Sequence, residues 1–141
     1  MAATITTTYR RNSNNRFTAV IQISGDAAGD VTNQAIMDST GVIAGVQAAA
    51  GMPFLIGPNT IWKIDSIDWE FTGFTGALIW AGATPQLACA LPQYDGNMAF
   101  KEDTGAPLVN SATTPTGQLL LTTKGLVANE YGTIVITGRH K

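Results

Sequence analysis

The alternation of apolar and polar side chains at every second residue constrains the fold of this chain more than any other feature. In RFTAVIQIS, residues 16–24, one face consists of core-forming side chains, namely Phe17, Ala19, Ile21 and Ile23. This period of two is that of a β-strand with one buried face. Thr, Val and Ile dominate the comparable segments, and turn-favouring residues interrupt them at the roughly 8–12-residue spacing of a sandwich or barrel. We predict an all-β, single-domain β-sandwich of about eight strands.

The charges divide the chain into a basic start and an acidic body. Residues 1–16 contain Arg10, Arg11 and Arg16 and no acid, whereas acids outnumber bases in the body that follows. A chain of 141 residues is long enough to bury one hydrophobic core. We therefore predict an extended basic N-terminal arm over residues 1–16 and a β-sandwich domain over residues 17–141.

The segment IWKIDSIDWEF, residues 61–71, changes phase in its middle. Trp62 and Ile64 fall in one phase, whereas Ile67, Trp69 and Phe71 fall in the other. Such a change predicts a β-bulge near Asp65 and Ser66, or a strand covered on both faces in turn. We expect Trp62 in the core, and for Trp69 a core position and an interface position both stay open.

No charged residue occurs in FTGFTGALIWAGATPQLACALPQ, residues 71–93. Its Gly and Pro residues predict turns on either side of two short strands. The alternation predicts that these strands carry four side chains into the core, namely Leu78, Trp80, Leu87 and Cys89. The lack of charge indicates strands that are covered by a second sheet or by a neighbouring molecule.

Catalysis would require a titratable base, a nucleophile or a metal. The only histidine, His140, lies near the end of the sequence, and the only cysteine, Cys89, lies between alanines. This inventory excludes a catalytic triad and a multi-histidine metal site. Asp68 and Glu70 share a strand face, but like charges on one face are more typical of a solvated or interface edge than of an acid/base pair. We predict no catalytic residue, no metal and no cofactor.

Two further classes of partner are disfavoured by the distribution of charge and hydropathy. The arginines of YRRNSNNR do not continue into a basic stripe, and an acidic body repels a phosphate backbone. The sequence contains no run of 18 apolar residues and no basic start followed by an apolar segment. We predict no direct nucleic-acid partner, no membrane partner and folding in a cytoplasm.

Several motifs in the second half of the chain resemble one family. These are WKIDSIDWEF, GALIWAGATP, LPQYDGNMAF, TGQLLLTTKGL and NEYGTIVITGRHK, which together span about residues 61–138. They resemble small tailed-phage virion proteins in which a strand ending in L-x-W precedes a G-x-L/I-x-L-T-T strand and a closing aromatic-x-x-I-x-I strand. Leu78 and Trp80 occupy the L-x-W positions, while AGAT stands where a more acidic turn is expected.

The resemblance implies a capsid decoration, or cement, protein of jelly-roll or related β-sandwich fold. Such a protein lies on the outer capsid surface of the virion, binds between subunits of the major capsid protein and braces the shell. Dimers or trimers are expected because these proteins lie on or near symmetry axes. Assembly would take place in the host cytoplasm.

Within that hypothesis, the arm gives the candidate partner-binding residues. Tyr9 would act as an anchor, and Arg10, Arg11 and Arg16 would pair with acids of the next subunit while the arm adds a strand to a neighbouring edge. A disordered tail is the alternative. Trp69 is a further candidate for partner binding.

Three other functions stay open. A carbohydrate-binding β-sandwich module would use Trp69 or Tyr94 as a stacking platform. A tail-associated virion protein would share the fold and the lack of catalytic groups. A hydrolase would depend on carboxylates such as Asp68.

Overall fold

The computed structural model describes residues 3–13, 16–38, 62–92, 94–100, 106–109 and 111–140. Ten strands lie in these ranges. They are β1 (Thr4–Ser13), β2 (Arg16–Ser24), β3 (Gln34–Asp38), β4 (Trp62–Phe71), β5 (Thr75–Thr84), β6 (Gln86–Leu91), β7 (Asp95–Ala99), β8 (Leu108–Val109), β9 (Thr113–Lys124) and β10 (Tyr131–His140).

The strands form two sheets, and every pairing is antiparallel. One sheet has six strands in the order β1-β2-β10-β4-β7, with β8 also paired to β4. The other has four strands in the order β3-β9-β5-β6. The predicted all-β sandwich is therefore confirmed, whereas the jelly-roll connectivity stays a prediction.

One hydrophobic core fills the space between the sheets. β2 buries the face that the alternation predicts, with Phe17 and Ile21 fully inaccessible, and β9 contributes Leu119 and Leu121 from the opposite sheet. At the centre, Trp62 of β4 and Trp80 of β5 meet edge to face, with ring centroids 5.0 Å apart. The predicted core positions of these two tryptophans are confirmed.

The phase change in β4 is a β-bulge at the predicted place. Ser66 is paired with Thr137 and Ile64 with Gly138, so Asp65 is the extra residue. Because the bulge shifts the alternation by one residue, Ile64 and Ile67 both point into the core and are fully buried. The bulged Asp65 instead points outward.

The N-terminal segment differs from the predicted arm. Residues 4–13 form β1, which pairs with β2 from Thr4 opposite Ser24 onward and belongs to the sandwich itself. Ile5 is buried, and the buried Thr7 hydroxyl donates a hydrogen bond to the Ile36 carbonyl of β3, across the sandwich, at 2.8 Å. The physical reason is that every second residue of this basic segment can face the core, so the proposed boundary after residue 16 does not separate two units.

β6 also differs from its prediction. Leu78 is paired with Cys89 and Ile79 with Leu87, so Ala88 is an extra residue that reverses the alternation of the strand. Leu91 is fully buried and Cys89 is half-buried, but Leu87 is 61% exposed. The predicted core positions are correct for the two β5 residues and wrong for Leu87.

Candidate functional site

The reactive groups of the described residues do not gather into one centre. No group of three or more His, Cys, Asp or Glu residues within these ranges could hold a metal ion. Burial raises the pKa of the Cys89 thiol, and its Sγ donates to the Ala90 carbonyl at 3.4 Å. Both features favour the protonated thiol, which is a poor nucleophile. His140 is the last residue of β10 and is paired with Trp62.

The outer face of the six-stranded sheet carries charges of both signs, and they are separated along the strands. Three exposed carboxylates lie together at one end of β4 and β7, namely Asp68, Glu70 and Asp95. Glu70 is directly opposite Asp95, and the Asn97 amide donates a hydrogen bond to the Asp68 carboxylate. We call these three carboxylates the acidic half of the face.

The opposite half of the same face is basic. Arg139 of β10 lies between Arg16 of β2 and Lys63 of β4, directly opposite both. Arg10 lies on β1, opposite Thr18, which is one step along the same face of β2 from Arg16. We call Arg10, Arg16, Lys63 and Arg139 the basic half.

One ion pair lies at the edge of the basic half. Arg139 Nη2 donates to Oδ1 of the bulged Asp65 at 2.7 Å, and its Nε also donates to this carboxylate. This side-chain hydrogen bond raises the pKa of Arg139 above that of an ordinary arginine. Among the described residues no ion pair is formed by Arg10, Arg16 or Lys63, so the basic half keeps a net positive charge.

A small apolar centre lies between the two halves. Val20 of β2 and Val135 of β10 are paired directly with each other and are half-buried. On the next strand, Asp68 is opposite Val135 and begins the acidic half.

The outer face of the four-stranded sheet has a different character. Four apolar side chains lie opposite one another across its strands in the order Ala35, Leu120, Ile79 and Leu87. The first three are half-buried and Leu87 is exposed. We call this set the apolar row. It ends on β6, a strand with no charged residue.

The structure places the predicted partner-binding residues in different environments. Arg10 and Arg16 are exposed on the outer face of the six-stranded sheet, whereas Tyr9 is half-buried and packs against the core. Arg11 is paired with Phe17, just before the register shift that precedes the last pair of the β1–β2 ladder. Trp69 is half-buried, packs against the core and covers Gly96, where an added Cβ would collide with the indole ring.

Sequence reasoning missed the residues that complete both surfaces. Lys63 and Arg139 join Arg16 only through the register of three strands that are distant in sequence. Leu87 reaches the outer face only because Ala88 forms a bulge. The alternation within a single strand contains neither piece of information.

Comparisons with known proteins add no relative. No protein-family model, curated protein or solved structure matches the chain. Within the described residues, no helix combines the length and hydropathy of a membrane span.

Proposed function

We propose that this protein is a non-enzymatic structural protein of a phage virion. It binds the outer capsid surface between subunits of the major capsid protein and stabilises the shell as a decoration protein. The capsid assignment rests on the sequence resemblance over residues 61–138, and the apolar row is the observation that carries a binding role.

The apolar row has the properties of a surface that a partner covers. Leu87 is 61% exposed, and burying a leucine side chain contributes about 1.5–3 kcal/mol. Edge strands of free proteins are commonly protected by charged side chains, Pro or a β-bulge. Among the described strands, β6 lies at the edge of its sheet, and in Gln86–Leu91 it has no charged residue and no Pro, so its bulge at Ala88 is its one such device. A strand of the capsid protein could pair with this edge while its apolar side chains cover the row.

Addition of the purified protein to capsids assembled without it tests this proposal. Cryo-electron microscopy should show added density on the outer shell. Leu87→Glu should reduce occupancy at least ~10-fold, because a charge would replace the apolar contact. The matched control is Val127→Glu, since Val127 is 53% exposed but lies outside the row.

The proposal fails if Leu87→Glu decorates capsids as well as the unmodified protein does. Density on the tail with none on the head would favour the tail-associated alternative.

A carbohydrate-binding role is the second candidate, because two tyrosines are exposed. Tyr94 is 57% and Tyr131 65% exposed, and Tyr131 lines a groove with Glu70 and Thr133. Exposed aromatic rings beside polar groups are suited to stacking on sugars. A glycan array would identify a ligand, and binding that is lost in Tyr131→Ala but retained in Val127→Ala would support this function.

A further inference from the structure

The charges on the outer face of the six-stranded sheet are arranged unfavourably for the isolated chain. Glu70 is directly opposite Asp95, and Arg139 is directly opposite both Arg16 and Lys63. Like charges at opposed positions on neighbouring strands destabilise a sheet. Only Arg139 is compensated by an ion pair within the described ranges, through Asp65. This arrangement of charges therefore does not stabilise the fold of a single chain.

The two halves are too far apart to compensate each other. Asp68, the innermost acid, lies in the row of Val135 on β10, four residues or about 14 Å from the row of Arg139, Arg16 and Lys63, and Arg10 lies three strands or about 14 Å to one side of Asp68. The row of Glu70 and Asp95 is about 20 Å from that of Arg139. All these distances exceed the Debye length of about 8 Å at physiological ionic strength. Attraction between the halves of one molecule is thus largely screened by salt.

A second copy of the same face would be complementary to this arrangement. We propose that the outer face of the six-stranded sheet pairs with the same face of a second molecule. The two-fold axis lies in the plane of contact between the two molecules, and it crosses this face between its acidic and basic halves. It places the acidic half of each copy against the basic half of the other, so the same acid–base contact forms twice.

The centre and the size of the face agree with this pairing. Val20 and Val135 are half-buried at its middle, with charged groups on both sides, as in interfaces with an apolar centre and a polar rim. Strands of ten residues, as in β1, β4 and β10, are about 34 Å long, and the four strands β1, β2, β10 and β4 are about 19 Å wide. With the shorter β7 of five residues, the face measures roughly 700 Å², close to the ~800 Å² that one partner contributes to a standard interface.

This pairing does not depend on the proposed capsid function. The apolar row lies on the other sheet, so a failure at one surface leaves the other unaffected. The two surfaces can be tested with separate substitutions in the full chain.

Complementary charge reversal tests the pairing. We expect the unmodified protein to sediment as a dimer in analytical ultracentrifugation. The acid-reversed variant, Glu70→Lys with Asp95→Lys, should have a Kd for dimerisation raised at least ~10-fold, because each copy would present cations to the other's basic half. The base-reversed variant, Arg10→Glu with Arg16→Glu, should be weakened to a similar extent.

The decisive measurement is the mixture of the two variants. Equimolar acid-reversed and base-reversed protein should form a heterodimer, because both charge contacts become favourable again. Lys124→Glu is the matched control, since it reverses an exposed charge on the other sheet and should dimerise normally. Circular dichroism checks the fold of each variant. If a reversed variant does not fold, the neutral pairs Glu70→Gln with Asp95→Asn and Arg10→Gln with Arg16→Gln replace it.

Three results would overturn the proposal. One is an unmodified protein that sediments as a monomer at every concentration, and another is a pair of reversed variants that do not associate when mixed. The third is a monomeric protein that no longer adds to capsids after the same charge reversals. In that case the capsid protein, and not a second copy of this chain, would bind this face.

Discussion

β1 and β6 both lie at the edge of a sheet, and each contains side chains whose burial is the opposite of what the composition of the strand suggests. β1 carries Arg10 and Arg11 and has the composition of an exposed arm, yet it buries Ile5 and Thr7 between the sheets. β6 carries no charge and has the composition of a core strand, yet it exposes Leu87. β6 still contributes the fully buried Leu91, so charge content did not determine which side chains enter the core. What determined it was whether the side chain points toward the other sheet or toward solvent.

β1 belongs to the sandwich because its inward-facing polar side chain is hydrogen-bonded and its charged side chain at Arg10 faces solvent. Thr7 occupies an inward position, and its hydroxyl is satisfied by the Ile36 carbonyl. The arginine side chain of Arg10 points to solvent from the opposite face. A polar residue that finds a hydrogen-bond partner does not exclude a strand from a core.

The strongest test of this difference removes one apolar side chain from each strand. Ile5→Ala should lower the free energy of unfolding by about 2–5 kcal/mol, because it leaves a cavity in the core. Leu87→Ala in β6 is the matched control and should cost less than about 0.5 kcal/mol. Chemical denaturation measures both values. A loss for Ile5→Ala as small as that for Leu87→Ala would mean that β1 is not part of the core.

A smaller loss is expected from the hydrogen bond that links β1 to the other sheet. Thr7→Val preserves the shape of the side chain but leaves the buried Ile36 carbonyl without its donor. The expected cost is about 1–3 kcal/mol. Thr8→Val on the exposed face of β1 is the control, and its stability should change little. Thermal unfolding that is identical for both variants would contradict the role of this bond.

For β6, the rate of Cys89 alkylation tests whether this side chain is half-buried, in contrast to the exposed Leu87. Because burial raises the pKa of the thiol in the folded state, alkylation at pH 8 should be several-fold slower than in the unfolded chain. Folding favours the protonated thiol, so its contribution to stability is present below the unfolded pKa and is lost as pH rises through the folded pKa. Cys89→Ala should lack this part of the pH dependence. Equal alkylation rates for the folded and unfolded protein would place the thiol in solvent.

The smallest effect on stability is expected at the tip of the apolar row. Leu87→Gln should change the free energy of unfolding by less than about 0.5 kcal/mol, because the side chain is mostly in solvent already. Calorimetry of the purified variant checks this. A large loss of stability would indicate that Leu87 packs within its own chain, and the row would then be unsuitable for a partner.

The two bulges explain how far the sequence could predict the fold. The bulge in β4 was predictable because large apolar residues precede and follow it in opposite phases, from Trp62 to Phe71. The bulge in β6 was not, because the extra residue is Ala88, whose small side chain is compatible with either face. Without a large residue to mark the phase, the alternation of Leu87, Cys89 and Leu91 suggested a regular strand.

The candidate surfaces were predictable only in part, for a related reason. Arg10 and Arg16 were candidates from the charge of the N-terminal segment alone. Their neighbours Lys63 and Arg139 lie far away in sequence and reach the same face only through the pairing of β2, β10 and β4. Cross-strand register depends on the whole sheet, so short segments contain little information about it.

The position of β10 also has a consequence for biosynthesis. β10 lies between β2 and β4, and its register joins Phe17 near the start of the chain to Gly138. A ribosome adds about 5–20 residues per second. Several seconds therefore pass between the synthesis of β2 or β4 and the synthesis of β10, the strand that pairs with both. Until residue 140 has emerged, the nascent chain cannot close its larger sheet. Ribosome-bound chains that stop before β10 should therefore remain sensitive to protease over β2 and β4, whereas chains that extend beyond it should become resistant.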